Sequence, residues 1–320
     1  MTGNRLSAAA ISIAVWLPLV AAAACAAAWP ARAEPTAGPL RPHPQPGSMP
    51  TWKRDFTVSK KYLVLPMRDR GQCCFEGGRD CTLELAVEGK KVRYYECDIA
   101  PDRESVAFYA YFTLDAYKGK RATVSARGVA KEGFDLIRES DHVPGEETFY
   151  TDEGRPQFHF STNVGWTNDP NGLVYHDGEW HLYFQHNPVS RGAHNMTWGH
   201  AVSKDLIHWE QLASAIFPRA MARGWCFSGS AVIDKANSAG FQTGKEPTLI
   251  AVFSDTDCGE CLAYSNDRGR TFTYYRDNPV LKHNGRDPKV IRYAPGKHWV
   301  LAAHDEEEEV HESPSTRRQT

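Results

Sequence analysis

The 320-residue chain has no excess of charge of either sign: 37 Lys and Arg stand against 39 Asp and Glu, a formal net charge of -2. That balance leaves no basic face for nucleic acid and no field that would select an anionic partner; a neutral ligand is compatible with it. Beyond Ala33 no apolar run is long enough to cross a membrane, and no helical period runs between Trp52 and Arg127. Metal-binding patterns are also short of parts. Cys258-Gly259-Glu260-Cys261 has the spacing of half a zinc site or of a redox pair, but no second half accompanies it, so neither metal nor cofactor is expected. What remains is ordinary: 41% hydrophobic and 24% charged residues, in a length that suggests about two globular domains.

Residues 1–33 carry Arg5, an Ala-rich apolar stretch from position 8 to 29, and Ala31-Arg32-Ala33 before Glu34-Pro35. This is the pattern of a secretory signal peptide cleaved after Ala33, which predicts a secreted or periplasmic protein with no membrane contact after cleavage. The apolar stretch is also long enough for an uncleaved anchor. Loss of Cys25 with the signal leaves Cys73, Cys74, Cys81, Cys97, Cys226, Cys258 and Cys261, an odd number for intramolecular pairing. Residues 34–51 read as a disordered, Pro-rich linker. Short β-type runs at 62–65, 82–87, 92–95, 106–112 and 122–124, with Glu88-Gly89-Lys90 as a hairpin turn, predict a β-sandwich accessory domain over 52–130. Tyr94, Tyr95, Tyr109 and Tyr111 lie at period two in these runs, which suits half-buried core more than an exposed ring platform for a ligand. A polar linker over 131–157 leads to the second domain.

That domain repeats itself. Asp169 in Trp166-Thr167-Asn168-Asp169-Pro170-Asn171-Gly172 sits in turn-forming surroundings before a strand. Ser228 precedes Ala231-Val232-Ile233, and Asp287 precedes Lys289-Val290-Ile291; the step from 169 to 228 equals the step from 228 to 287. A second series, Ser203-Lys204-Asp205 and Ser265-Asn266-Asp267, recurs at nearly the same interval. Four short strands per unit of this length describe a β-propeller blade. The first strand of each blade lines the central channel, so Asp169, Ser228 and Asp287 should converge at one of its ends. Paired carboxylates facing a shared cavity suit glycoside hydrolysis, in which a retaining enzyme keeps them about 5 to 5.5 Å apart.

Six motifs in order then resemble glycoside hydrolase family 32, the β-fructofuranosidases: W-T-N-D-P-N-G at 166–172, Y-F-Q-H-N-P at 183–188, W-G-H-A-x-S-x-D-L-x-H-W at 198–209, F-S-G-S at 227–230, S-N-D-R-G-R-T-F at 265–272 and R-D-P-K-V at 286–290. The resemblance covers residues 158–304. It implies an all-β chain in which the sandwich is followed by an incomplete five-bladed β-propeller, acting on fructose-containing oligo- or polysaccharides by a retaining double displacement. Carried over by position, it makes Asp169 the nucleophile and Asp287 the transition-state stabiliser. Asn168, Gln185, Trp198, Phe227, Ser228 and Arg286 would bind substrate.

The family's acid/base, a Glu followed by Cys well beyond R-D-P, has no counterpart between Asp287 and Thr320. Glu260-Cys261 precedes that motif and falls on the wrong blade. At the repeat length set by Asp169, Ser228 and Asp287, five blades need roughly 300 residues, and an acidic and polar tail, 305–320, stands where further strands are expected. The expectation is therefore a truncated or frame-shifted fructan hydrolase with little activity of its own. A non-catalytic fructan-binding protein and a fructosyltransferase are the alternatives.

Overall fold

The computed structural model describes residues 50–69, 81–218, 224–282 and 284–304. The expected signal peptide, most of the Pro-rich linker, Cys73, Cys74 and the acidic tail lie outside them. Two sheets come first. Their strands are β1 (Thr51–Thr57), β2 (Tyr62–Met67), β3 (Cys81–Val87), β4 (Lys90–Cys97), β5 (Phe108–Thr113), β6 (Arg121–Arg127) and β7 (Arg138–Ser140). One sheet has the order β1-β6-β3-β4, the other β5-β2-β7. Along β3 every second residue is buried (Cys81, Leu83, Leu85, Val87), as expected for a strand with one face on a core. The central strand β2 is instead buried from Leu63 to Met67. Glu88 and Gly89 both have positive φ, 49° and 73°, the geometry of a two-residue hairpin turn whose twist matches its strands.

The core between the sheets joins Leu63, Leu65, Leu83, Leu85, Tyr95, Phe112 and Val124. Tyr95 is fully buried and stacks on Phe112 at 5.0 Å, while the Tyr111 ring meets Tyr62 edge-on at 5.1 Å. The stretch 131–157, expected as a linker, adds to this unit: α1 (Lys131–Asp135) supplies buried Phe134, and β7 pairs with β2. A polar segment can do this because one aromatic ring and a short paired strand suffice to cover the edge of a small sheet.

Two four-stranded blades follow. The first has the order β11-β10-β9-β8, from β8 (Trp166–His176), β9 (Glu179–Asn187), β10 (Thr197–Ser203) and β11 (Trp209–Ile216). The second runs β12 (Cys226–Asp234), β13 (Thr248–Asp255), β14 (Gly259–Ser265) and β15 (Thr273–Tyr274); a third begins with β16 (Arg286–Tyr293) and β17 (His298–His304). The expected hairpins form, and Asp177 and Gly178 turn between β8 and β9 with φ of 46° and 84°. Both Ser-x-Asp repeats bond alike after the third strand: Ser203 Oγ accepts from Asp205 N at 3.2 Å and Ser265 Oγ from Asp267 N at 3.3 Å. Sandwich and blades belong to one compact unit, with Val189 of the first blade inside the sandwich core. Among the described residues no helix is long and apolar enough to cross a membrane.

Candidate active site

The inner strands β8, β12 and β16 lie side by side, with β12 in the middle. Side chains on one strand bond the backbone of the next: Gly229 N donates to Asn171 Oδ1 at 3.4 Å, and Val290 N to Ser230 Oγ at 2.9 Å. Asp169 and Ser228 meet between β8 and β12, and Asp287 stands near the start of β16, the strand on the other side of β12.

The sequence reading places all three ahead of their strands, Asp169 in a turn. In the structure each belongs to its strand, at a break in pairing register: between Thr167 and Pro170 on β8, between Cys226 and Gly229 on β12, and between Arg286 and Lys289 on β16. A β-bulge explains the difference. It leaves a residue unpaired within the strand and turns its side chain out of the sheet alternation, which suits delivery of a polar group into a channel. Turn-forming residues are what make the bulges. Gly229 has no room for a side chain, since a Cβ there would stand 2.0 Å from the Val252 carbonyl oxygen. Asp287 takes up a left-handed φ of 59°.

Asp169 is gripped on both carboxylate oxygens. Asn168 Nδ2 donates to Oδ1 at 2.9 Å, and Ser228 Oγ donates to Oδ2 at 2.7 Å. Neither donor carries a charge, and Asp169 remains exposed to an approaching ligand. Arg286 Nε lies 3.5 Å from Asp287 Oδ2, with both side chains half exposed. Phe227 borders an open cleft that Arg286 and Tyr274 also line.

Gln185 and Trp198, expected among the substrate contacts, lie behind the site. Both are buried, and their amide and indole N–H groups donate to the Cys226 and Phe227 carbonyls at 3.0 and 2.9 Å. They reach the site by holding the start of β12. Gln185 Oε1, also buried, has no hydrogen-bond partner among the described residues.

Ser254 escaped the sequence reading. Its hydroxyl accepts the Asp287 N–H at 3.0 Å and lies 3.1 Å from both carboxylate oxygens of Glu260. The contact joins β13 to β16, so no local spacing announces it. Glu260 is wholly buried beneath it, and its backbone N–H and C=O are engaged with Leu281 and Val280. A second Glu-Cys pair, Glu96-Cys97, belongs to β4 of the sandwich, where Glu96 meets His194 and Asn195.

Residues 159–313 match the glycosyl hydrolases family 32 N-terminal domain. A levanase of Bacillus subtilis is 48% identical over 163 residues, which are 49% of this chain and 24% of that protein. An invertase of Schizosaccharomyces pombe is 42% identical over 185 residues, 54% of this chain and 32% of its own. The solved β-fructofuranosidase of Schwanniomyces occidentalis, complexed with fructosyl-erythritol, is 38% identical; it aligns with 47% of this chain and 31% of its own at a TM-score of 0.44. The chain thus spans about a quarter to a third of the length of these curated relatives. The propeller segment, residues 159–313, is thus assigned to glycosyl hydrolase family 32 as that family's N-terminal domain.

Proposed function

We propose that the chain is an exported β-fructofuranosidase-type protein in which Asp169 attacks the anomeric carbon of a fructosyl unit. The observation that carries this reading is the Asp169 carboxylate, fixed at both oxygens by the neutral donors Asn168 and Ser228 and open to solvent between them. Such a group is oriented before substrate arrives, as a retaining nucleophile must be. Asp287 binds sugar hydroxyls and stabilises the positive charge that develops on the fructosyl ring as the leaving group departs, and Arg286 binds substrate beside it. Gln185 and Trp198 keep Phe227 and Ser228 in place.

A retaining reaction also requires a carboxylic acid on the leaving-group oxygen, which contributes about 10²–10⁴-fold. Glu260 does not suit that role, being buried against Ser254. Its burial favours a second reading, in which the described blades hold fructans without cleaving them at enzymatic rates.

Both readings are separated by a fructosyl donor whose leaving group needs no proton. With fructosyl fluoride the full chain should acquire one fructosyl mass on the peptide containing Asp169, Asp169→Asn should acquire none, and sucrose should turn over far more slowly. No adduct in the unmodified chain, with fructan binding retained, would favour the binding protein. Sucrose turnover at ordinary rates, about 1–10³ s⁻¹, would overturn the binding reading.

A further inference from the structure

The half-site that the sequence leaves without a partner is completed in the fold. Cys258 lies in the turn between β13 and β14, and Cys261 on β14 itself. Their Sγ atoms are 3.6 Å apart. From the end of β13, Asp255 brings a carboxylate oxygen to within 4.8 Å of both sulfurs. Two sulfurs bonded to one tetrahedral zinc at about 2.3 Å stand about 3.8 Å apart, whereas a disulfide holds them at about 2.05 Å. The observed separation fits shared ligation of an ion and needs no movement of the turn.

Asp255 adds a second observation. It is 2% exposed, and among the described residues no Lys, Arg or His forms an ion pair with it. Its oxygens accept the Gly224 N–H, at 3.1 and 3.3 Å, and Oδ1 accepts the Asp257 N–H at 2.9 Å. Such backbone bonds aim a carboxylate without neutralising it, and they are the outer support that metal-ligating carboxylates usually have. All three residues line the open cleft beside Phe227 and Arg286, and Cys258 is the partly exposed one of the three. Arg276, on the same cleft, is drawn toward Asp277.

We propose that Asp255, Cys258 and Cys261 bind a thiophilic divalent cation of the zinc class at the β13–β14 turn, with the fourth position open to the cleft. Binding forms two metal–sulfur bonds and one metal–oxygen bond, and the two thiol protons pass to solvent. The ion would lock the turn that follows Ser254, whose hydroxyl accepts the Asp287 N–H. The site does not depend on the fructosidase reading, since it uses none of the residues that touch sugar there.

The test is metal content and spectroscopy on the full chain with its thiols reduced. After loading with Zn²⁺ and desalting, one zinc should remain per chain. Co²⁺ in its place should give thiolate-to-cobalt charge-transfer bands together with tetrahedral ligand-field absorption. Cys258→Ser, Cys261→Ser and Asp255→Asn should each weaken zinc binding by at least about tenfold, while Cys97→Ser leaves it unchanged. The cobalt spectrum of the unmodified chain decides the matter even where a variant fails to fold. Absence of retained metal, binding that survives all three substitutions, or a Cys258–Cys261 disulfide in protein isolated without reductant would overturn the proposal.

Discussion

Asp169 and the buried histidines use their surroundings in opposite ways. Asp169 is exposed and bonded, so both its oxygens are held while it stays accessible. His181 and His186 are buried, and loss of water pushes each down to about 4; His200, bonded to His181 at 3.2 Å, lies well below the usual range for the same reason. Each is therefore neutral in the folded protein near neutral pH and takes up a proton on unfolding once the pH is below about 6.5. The unfolded state then binds more protons, so stability is full above about pH 6.5 and falls as pH drops toward about 4. The slope is at most about 1.4 kcal/mol per pH unit for each histidine. Urea titrations across this window should show the midpoint falling with pH, and a flat profile would contradict the neutral assignment.

At the scale of elements, the bulge at the head of each inner strand does the work that the sequence suggests for a turn. Gly229 is the point at which this can be tested. A methyl group there meets backbone, the Val252 carbonyl oxygen at 2.0 Å and the Phe253 Cα at 2.8 Å, and backbone in a paired ladder cannot step aside. Gly229→Ala should cost about 1–3 kcal/mol in denaturant unfolding, as overpacking does. It should also slow fructosyl transfer to Asp169 by displacing Ser228. Unchanged stability would mean that the β12–β13 register can slip without cost. Gly172 plays a related part: its φ is 50°, and an added Cβ would come within 3.0 Å of Ala231 and Tyr183, where β8 approaches β12.

The whole molecule couples sandwich and propeller through a few buried contacts. Asn195 spans the two, accepting the Glu96 N–H at 3.0 Å and donating to the Glu96 carbonyl at 2.7 Å, while Val189 sits in the sandwich core. Arg93 lies over the ring of Phe217, 3.3 Å from its centroid. Joined in this way, the two parts should unfold in one transition, coincident by tryptophan fluorescence and circular dichroism. Asn195→Ala removes both bonds and should lower stability by about 2 kcal/mol. Two separate transitions in the unmodified chain would show that the sandwich stands alone. The start of 131–157 shares in this packing: Phe134 and the short strand β7 cover the sandwich, which a reading for long strands passes over.

Hairpins and blade period were legible because each follows from local turn chemistry or from a repeat along the sequence. Asp177-Gly178 turns by its own dihedral preferences, and the equal steps from Asp169 to Ser228 to Asp287 report one repeated unit. The tertiary structure alone decided matters that depend on distant partners. Asp169 is in a bulged strand because β9 pairs with that strand and β12 packs beside it; Gln185 and Trp198 are buried and bond the β12 carbonyls. Ser254 reaches Asp287 across 33 residues of chain. The half-empty Cys258–Cys261 motif finds its carboxylate on the preceding strand. Local sequence carries short-range dihedral and periodic preferences, whereas burial and ligand geometry arise only when separate strands are brought side by side.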